Sequence, residues 1–101
     1  MKTLCAAMMM LAQSHANDMA RRDQLDHAGF ERRAQYGARA ENVAVGCKTQ
    51  TCAYQVWAAS PPHARNMHLP GCRAVASALS HSGKRYWVME ISQDDKPGRH
   101  K

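Results

Sequence analysis

The chain has 101 residues, a formal net charge of +6, four cysteines and only a few aromatic residues (two Trp, three Tyr, one Phe). That length supports one domain with a single small core, and no apolar run approaches the roughly 20 residues of a membrane-spanning helix. The basic residues come as scattered pairs, Arg21-Arg22, Arg32-Arg33 and Lys84-Arg85, without the clustered stripe or aromatic interleaving that nucleic-acid binding requires.

Leu4, Met8, Leu11, His15 and Met19 recur at helical spacing and predict an amphipathic helix over 3–22. Arg21 and Arg22 suit its last turn, where cations meet the negative end of the helix dipole. Two of the three methionines Met8, Met9 and Met10 are expected to pack inward, because methionine fills irregular gaps. Lys2 and the apolar run Leu4 to Ala12 also have the shape of a leader, with a small-x-small site at Ser14-His15-Ala16. The apolar stripe continues through that site to Met19, so a retained helix is the expectation over cleavage within 1–16.

Asp26 is placed to cap a turn carrying His27, with Gly29 ending it. A short helix is predicted over 30–36 with Gly37 as its stop, and Val43 and Val45 alternate like a strand edge within 42–46. A helix follows over 50–59, with Cys52, Val56 and Ala59 or Ser60 on one face and Tyr54 and Trp57 alongside. Ser60 then caps a new helical turn with Pro61 at its first position, so His63 falls in that turn. Weak alternation over 73–80, a hairpin turn at His81-Ser82-Gly83-Lys84 and clear alternation over 85–92 predict a strand pair. Residues 93–101 read as a polar tail.

Cys47 and Cys52 bracket a polar tetrapeptide. A disulfide there would close a short loop, contribute about 2 kcal/mol on the chain-entropy estimate and persist only in an oxidising compartment. The alternative is a pair of reduced, partly buried thiols. Cys5 and Cys72 lie too far apart in sequence for their pairing to be read.

His27, Glu41 and His63 are the residue types that hold zinc with an open position or share a proton. The plainer alternative is that Glu41 accepts hydrogen bonds from loop amides and His27 caps a turn. Chemistry is harder to assign. There is no G-x-S-x-G elbow and no H-E-x-x-H, and no cysteine stands in a nucleophile's context. If Glu41 is a base, two histidines remain as ligands; if it is a ligand, no base is evident.

His15-Ala16-Asn17-Asp18-Met19-Ala20, Leu25-Asp26-His27-Ala28-Gly29, Ala40-Glu41-Asn42-Val43-Ala44, the stretch Trp57 to Met67, and Tyr86-Trp87-Val88-Met89 follow one another in an order that resembles the bacterial branch of the CAP superfamily (cysteine-rich secretory proteins, antigen 5, pathogenesis-related proteins), or SCP domain. The resemblance covers roughly residues 5 to 92. Ala40 stands where the family has glycine, Pro62 and Ala64 replace glycine and arginine around His63, and Ser60 stands where plant and animal members carry an acidic residue.

The resemblance implies an α+β fold over 3–92, a three-layer α-β-α sandwich with helices on both faces of a small antiparallel sheet. It implies a secreted or periplasmic protein whose cleft, lined by His27, Glu41 and His63 and backed by Asn42 and Asn66, binds Zn2+ or another divalent cation and a small or lipidic ligand. His27 and His63 should therefore come within metal-bridging reach, with His15, His68, His81 and His100 outside the set. The competing readings are a metal-dependent hydrolase on peptide or envelope substrates, and a scaffold whose surface contacts a protein partner. None involves nucleic acid.

Overall fold

The computed structural model describes residues 2–93; most of the polar tail and His100 lie outside the described residues. In chain order the elements are α1 (Lys2–Arg22), α2 (Phe30–Gln35), β1 (Ala38–Val45), α3 (Gln50–Ala58), α4 (Pro61–Met67), β2 (Arg73–Leu79) and β3 (Arg85–Ser92). The strands form one antiparallel sheet in the order β1-β3-β2. This is an α+β fold with a small antiparallel sheet. No described helix is long and apolar enough to cross a membrane.

Side chains on a strand alternate between faces, and β3 displays this at the centre of the sheet. Tyr86 and Val88 pack with Ala12, Ala16 and Met19 of α1. Trp87, Met89 and Ile91 pack with Ala53 and Trp57 of α3. On β1, Val43 joins the α1 side and Ala44 the α3 side. The helix expected at 3–22 forms α1 and packs into the core, with Met8, Ala12, Ala16 and Met19 fully buried.

Two local expectations change. Only Met8 of the three methionines packs inward, while Met9 and Met10 are 48% and 72% exposed. Successive helical residues are rotated by about 100°, so a narrow buried face takes one of three neighbours. On α3 the fully buried residues are Ala53 and Trp57; Cys52 packs against the same cluster, whereas Val56, expected on its face, is about half exposed. Trp57 settles the rotation, because its indole Nε1 donates to Val43 O at 3.1 Å.

α1 ends in a tight C-terminal motif: Gln24 N donates to Met19 O at 3.0 Å and Asp23 N to Ala20 O at 3.2 Å. Glycine is usual at the left-handed position of such a motif, but here Asp23 takes it, with φ 55°. Tyr86 Oη donates to its carboxylate at 2.8 Å, which ties the helix end to β3.

The Cys47–Cys52 disulfide is formed, as expected. Cys5 pairs with Cys72, joining the first turns of α1 to the segment entering β2.

Candidate functional site

Glu41 and Glu90 are cross-strand partners in the β1–β3 register, and both are buried. The alternation that sends Val43 and Val88 towards α1 sends these carboxyl groups to the same side. There Arg33 of α2 meets them. Its Nε donates to Glu41 Oε1 at 2.6 Å and its Nη2 to Glu41 Oε2 at 2.9 Å, a bidentate fork. Its Nη1 donates to Ala28 O at 2.8 Å and its Nη2 also reaches His27 O at 3.3 Å. Arg33 thus ties the 27–29 turn, α2 and β1 together.

The turn is shaped for this. Asp26 Oδ1 accepts from Ala28 N at 3.1 Å. Gly29 adopts φ 83°, and a Cβ there would stand 3.2 Å from Arg33 Nη1. His27 Nδ1 lies 2.7 Å from Glu41 Oε2. A carboxylate only accepts, so Nδ1 carries the proton and Nε2 is left with its lone pair. The His27 side chain is 53% exposed while that of Glu41 is 1% exposed. A buried carboxylate therefore orients a solvent-facing imidazole. His15 of α1 closes the cluster from behind, with Nε2 3.7 Å from Glu41 Oε2. That Nε2 donates to Asp26 O at 2.8 Å, since a carbonyl oxygen cannot donate.

Burial raises the pKa of Glu41, but hydrogen bonds from Glu90, Arg33 and His27 outweigh it and hold the carboxyl below its ordinary value. Glu90 goes the other way: burial first, then the hydrogen bond with Glu41 and its charge, push it up to about 10. The geometry supports that direction. As a carboxylate, Glu90 has no donor for either oxygen. Arg33 Nε is 3.3 Å from Glu90 Oε2, but its single hydrogen is directed to Glu41. A protonated Glu90 instead donates to Glu41, and the pair carries one negative charge against Arg33.

His63 is not part of this cluster. Asn42 follows Glu41 on an extended strand, so its side chain points to the opposite face, where Asn42 Nδ2 donates to His63 O at 3.1 Å. Asn66 Nδ2 donates to Asn42 Oδ1 at 2.9 Å. Asn42 and Asn66 therefore fix α4 to β1 and do not back His27. The His63 ring bonds Ser60 Oγ through Nδ1 at 2.9 Å. The expected trio is thus split by the sheet: His27 and Glu41 meet, and His63 does not join them.

The donor set around Glu41 does not fit a divalent cation. Arg33 occupies both Glu41 oxygens, and the nearby nitrogens of His15 and His27 carry hydrogens directed at other acceptors. Among the described residues, no three His, Cys, Asp or Glu side chains are placed to share a metal.

Arg33, Glu90 and His15 are the cluster members that sequence reasoning missed. The alternation of Trp87, Met89 and Ile91 carried a signal for Glu90, because it places Glu90 on the other face of a strand buried on both sides. Nothing local marked Arg33 apart from Arg32.

A cavity of about 370 Å³ opens beside the cluster between α1 and α2, with Ser14, His15, Asp18, Arg32 and Arg33 on its polar wall. A second pocket of about 340 Å³ shares Leu11 and Tyr36 with it and is completed by Ala7 and Met10. A larger open groove of about 620 Å³ runs along α3 and α4, away from these charges. No known protein family, curated protein or solved structure matches this chain.

Proposed function

We propose that the chain is an exported module of the CAP/SCP type that binds a small anionic amphiphile between α1 and α2. One observation carries the ligand: the polar cavity beside Arg32 continues, across Leu11 and Tyr36, into a pocket lined only by apolar side chains and Tyr36. Arg32 forms no ion pair with any described residue, whereas Asp18 on the same wall is neutralised by Arg21 and Arg22. An anionic head at Arg32 and an alkyl tail over Met10 and Tyr36 match that division. Met10 and Tyr36, 72% and 57% exposed, would lose apolar surface to water-free contact.

Helices packed against both faces of the sheet support the three-layer α-β-α arrangement that the resemblance implies. Two disulfides support export, since such bonds persist in oxidising compartments.

The test is displacement of 1-anilinonaphthalene-8-sulfonate by oleate. Oleate should bind one-to-one, and Met10→Glu and Arg32→Glu should each weaken it at least about tenfold, a change of about 1.4 kcal/mol. Val56→Glu on α3 should leave it unchanged. Equal losses from Val56→Glu and Met10→Glu would overturn the assignment. A second reading is favoured by the His27–Glu41 dyad, whose open Nε2 suits a general base towards an ester-linked amphiphile. Turnover of a p-nitrophenyl ester that His27→Ala abolishes would support it, and equal background rates would refute it.

A further inference from the structure

We infer that the outer edge of β2 docks an extended acidic peptide, which adds to the three-stranded sheet as a further strand. Two bonds at the ends of the β2–β3 ladder fix which way β2 faces. Ser92 N donates to Cys72 O and Ser80 N to Lys84 O, each at 2.8 Å. The register between them is unbroken. In an antiparallel pair, residues that exchange bonds with the neighbour alternate with residues that point their N–H and C=O away. Ala74, Ala76 and Ala78 therefore bond β3, and Arg73, Val75, Ser77 and Leu79 present their backbone outward. Gln13 Nε2 reaches Ser77 O from that outer side at 3.0 Å. No described residue bonds the outward N–H or C=O of Val75, or the N–H of Ser77.

The opposite edge is guarded and this one is not. β1 carries a register break between Ala38 and Ala40, and Trp57 Nε1 occupies Val43 O. β2 has no proline, no lysine and no bulge over its seven residues, and those are the devices that keep strand edges from pairing. Leu79, at its end, is largely exposed.

Charge selects the occupant. No Asp or Glu occurs between Glu41 and Glu90, so α3, α4 and β2 carry no carboxylate side chain. Arg85 reaches from β3 to this edge, where its Nη1 donates to Ser77 Oγ at 2.9 Å, and Arg73 begins the strand. Neither forms an ion pair with any described residue. A second copy paired through the whole of this edge would run antiparallel about a twofold axis at Ala76. That arrangement sets Arg73 of each chain opposite Leu79 of the other, on the side of Arg85, and repeats the like-charge contact at both ends. A strand bearing glutamates meets the same arginines with attraction.

The test is titration with a blocked seven-residue peptide alternating glutamate with threonine, read by amide hydrogen exchange of the unaltered protein. On binding, the Val75 and Ser77 amides should slow at least about tenfold, while Ala76, already bonded to β3, stays unchanged. Val75→Pro removes one outward N–H, leaves every β3 bond in place and is tolerated on an edge. It and Arg85→Glu should each weaken the peptide at least about tenfold, and a peptide with lysine in place of glutamate should not bind. Failure of the acidic peptide to bind, or binding that survives Val75→Pro or leaves both amides unprotected, overturns the inference. Protection of those amides before any peptide is added overturns it too, and a dimeric mass in sedimentation would then assign the edge to a second copy.

Discussion

The two faces of one sheet bury their polar groups in different ways. On the α3 face the core is apolar around two indoles, Trp57 Nε1 donating to Val43 O and Trp87 Nε1 to Cys47 O at 2.8 Å, and its buried amide, Asn42, is neutral and satisfied by Asn66 and His63 O. On the α1 face small alanines bring the helix close to the strands, and the space beyond them holds Glu41, Glu90, Arg33 and His15. The difference follows from what each face must hold. α3 brings Trp57 and Ala53 and docks by burial. α2 is six residues long, with Arg33 as its buried residue. It offers too little apolar surface to dock by burial alone, so a forked ion pair positions it. The ionic cluster is what the α1 face uses to hold a weak element and the His27 turn.

The sharpest contrast between the faces is Trp57→Ala. It should cost about 3–5 kcal/mol in urea unfolding, because it empties a fully buried site and leaves Val43 O without its donor. The loss should be nearly the same from pH 5 to pH 9, since no carboxyl, imidazole or amine group is in the core cluster around the indole. A strongly pH-dependent loss would mean that the two faces are coupled through β3.

Next come the disulfides, which anchor one face each. Cys5–Cys72 spans a sequence separation of 67 and Cys47–Cys52 one of 5. On the chain-entropy estimate, replacing the first pair by serine should cost about 4 kcal/mol and the second about 2 kcal/mol. Thermal melts of the two double variants check the ranking. A reversed order would show that the short loop holds α3 in place enthalpically.

Glu90→Gln tests the ionic face directly. The folded-state pKa of Glu90 is raised from 4.5 to about 10, so its contribution is fully present below the unfolded value and is lost as pH rises through that window. Glu41 is shifted the opposite way, and its contribution is lost on acidification. The wild type should therefore be most stable near the lower end of the Glu90 window and weaken towards pH 9. The substituted side chain cannot lose a proton, and its amide can still donate to Glu41. The variant should gain stability at pH 8 on the order of a few kcal/mol, with little change at pH 4.5. Parallel urea midpoints at the two pH values measure it, and an equal gain at both would contradict a protonated Glu90.

Much of this architecture is legible in the sequence, and the failures share one cause. Periods of 3.6 and 2 locate α1, α3, β2 and β3, and Ser60-Pro61 places the start of α4. The alternation marks β1 only over 42–46, whereas it runs Ala38–Val45, because Arg39 and Glu41 hide the apolar pattern. The same concealment affects the site. A charged residue in a sequence reads as solvent-facing, so Arg33 gives no sign that it is buried against Glu41. His27 and Glu41 do come together. His63 falls elsewhere because Glu41 and Asn42, adjacent in sequence, face opposite sides of the sheet, and His63 belongs with Asn42.

The smallest expected effect separates a residue that is presented from one that is packed. His27 and His15 both reach Glu41, at 2.7 Å and 3.7 Å. The His27 side chain is more than half exposed, so water screens its interaction, and such pairs contribute about 0–1 kcal/mol. His15 is 2% exposed, and its Nε2–H fills the carbonyl of Asp26. His15→Ala should then cost about 2 kcal/mol or more, from a cavity and an unsatisfied carbonyl. His27→Ala should stay within about 1 kcal/mol of the wild type while removing whatever binding or turnover depends on its Nε2. Urea unfolding of both variants in one buffer decides the matter. A His27→Ala loss equal to that of His15→Ala would make His27 a structural member of the cluster, and the site would lose its solvent-facing group.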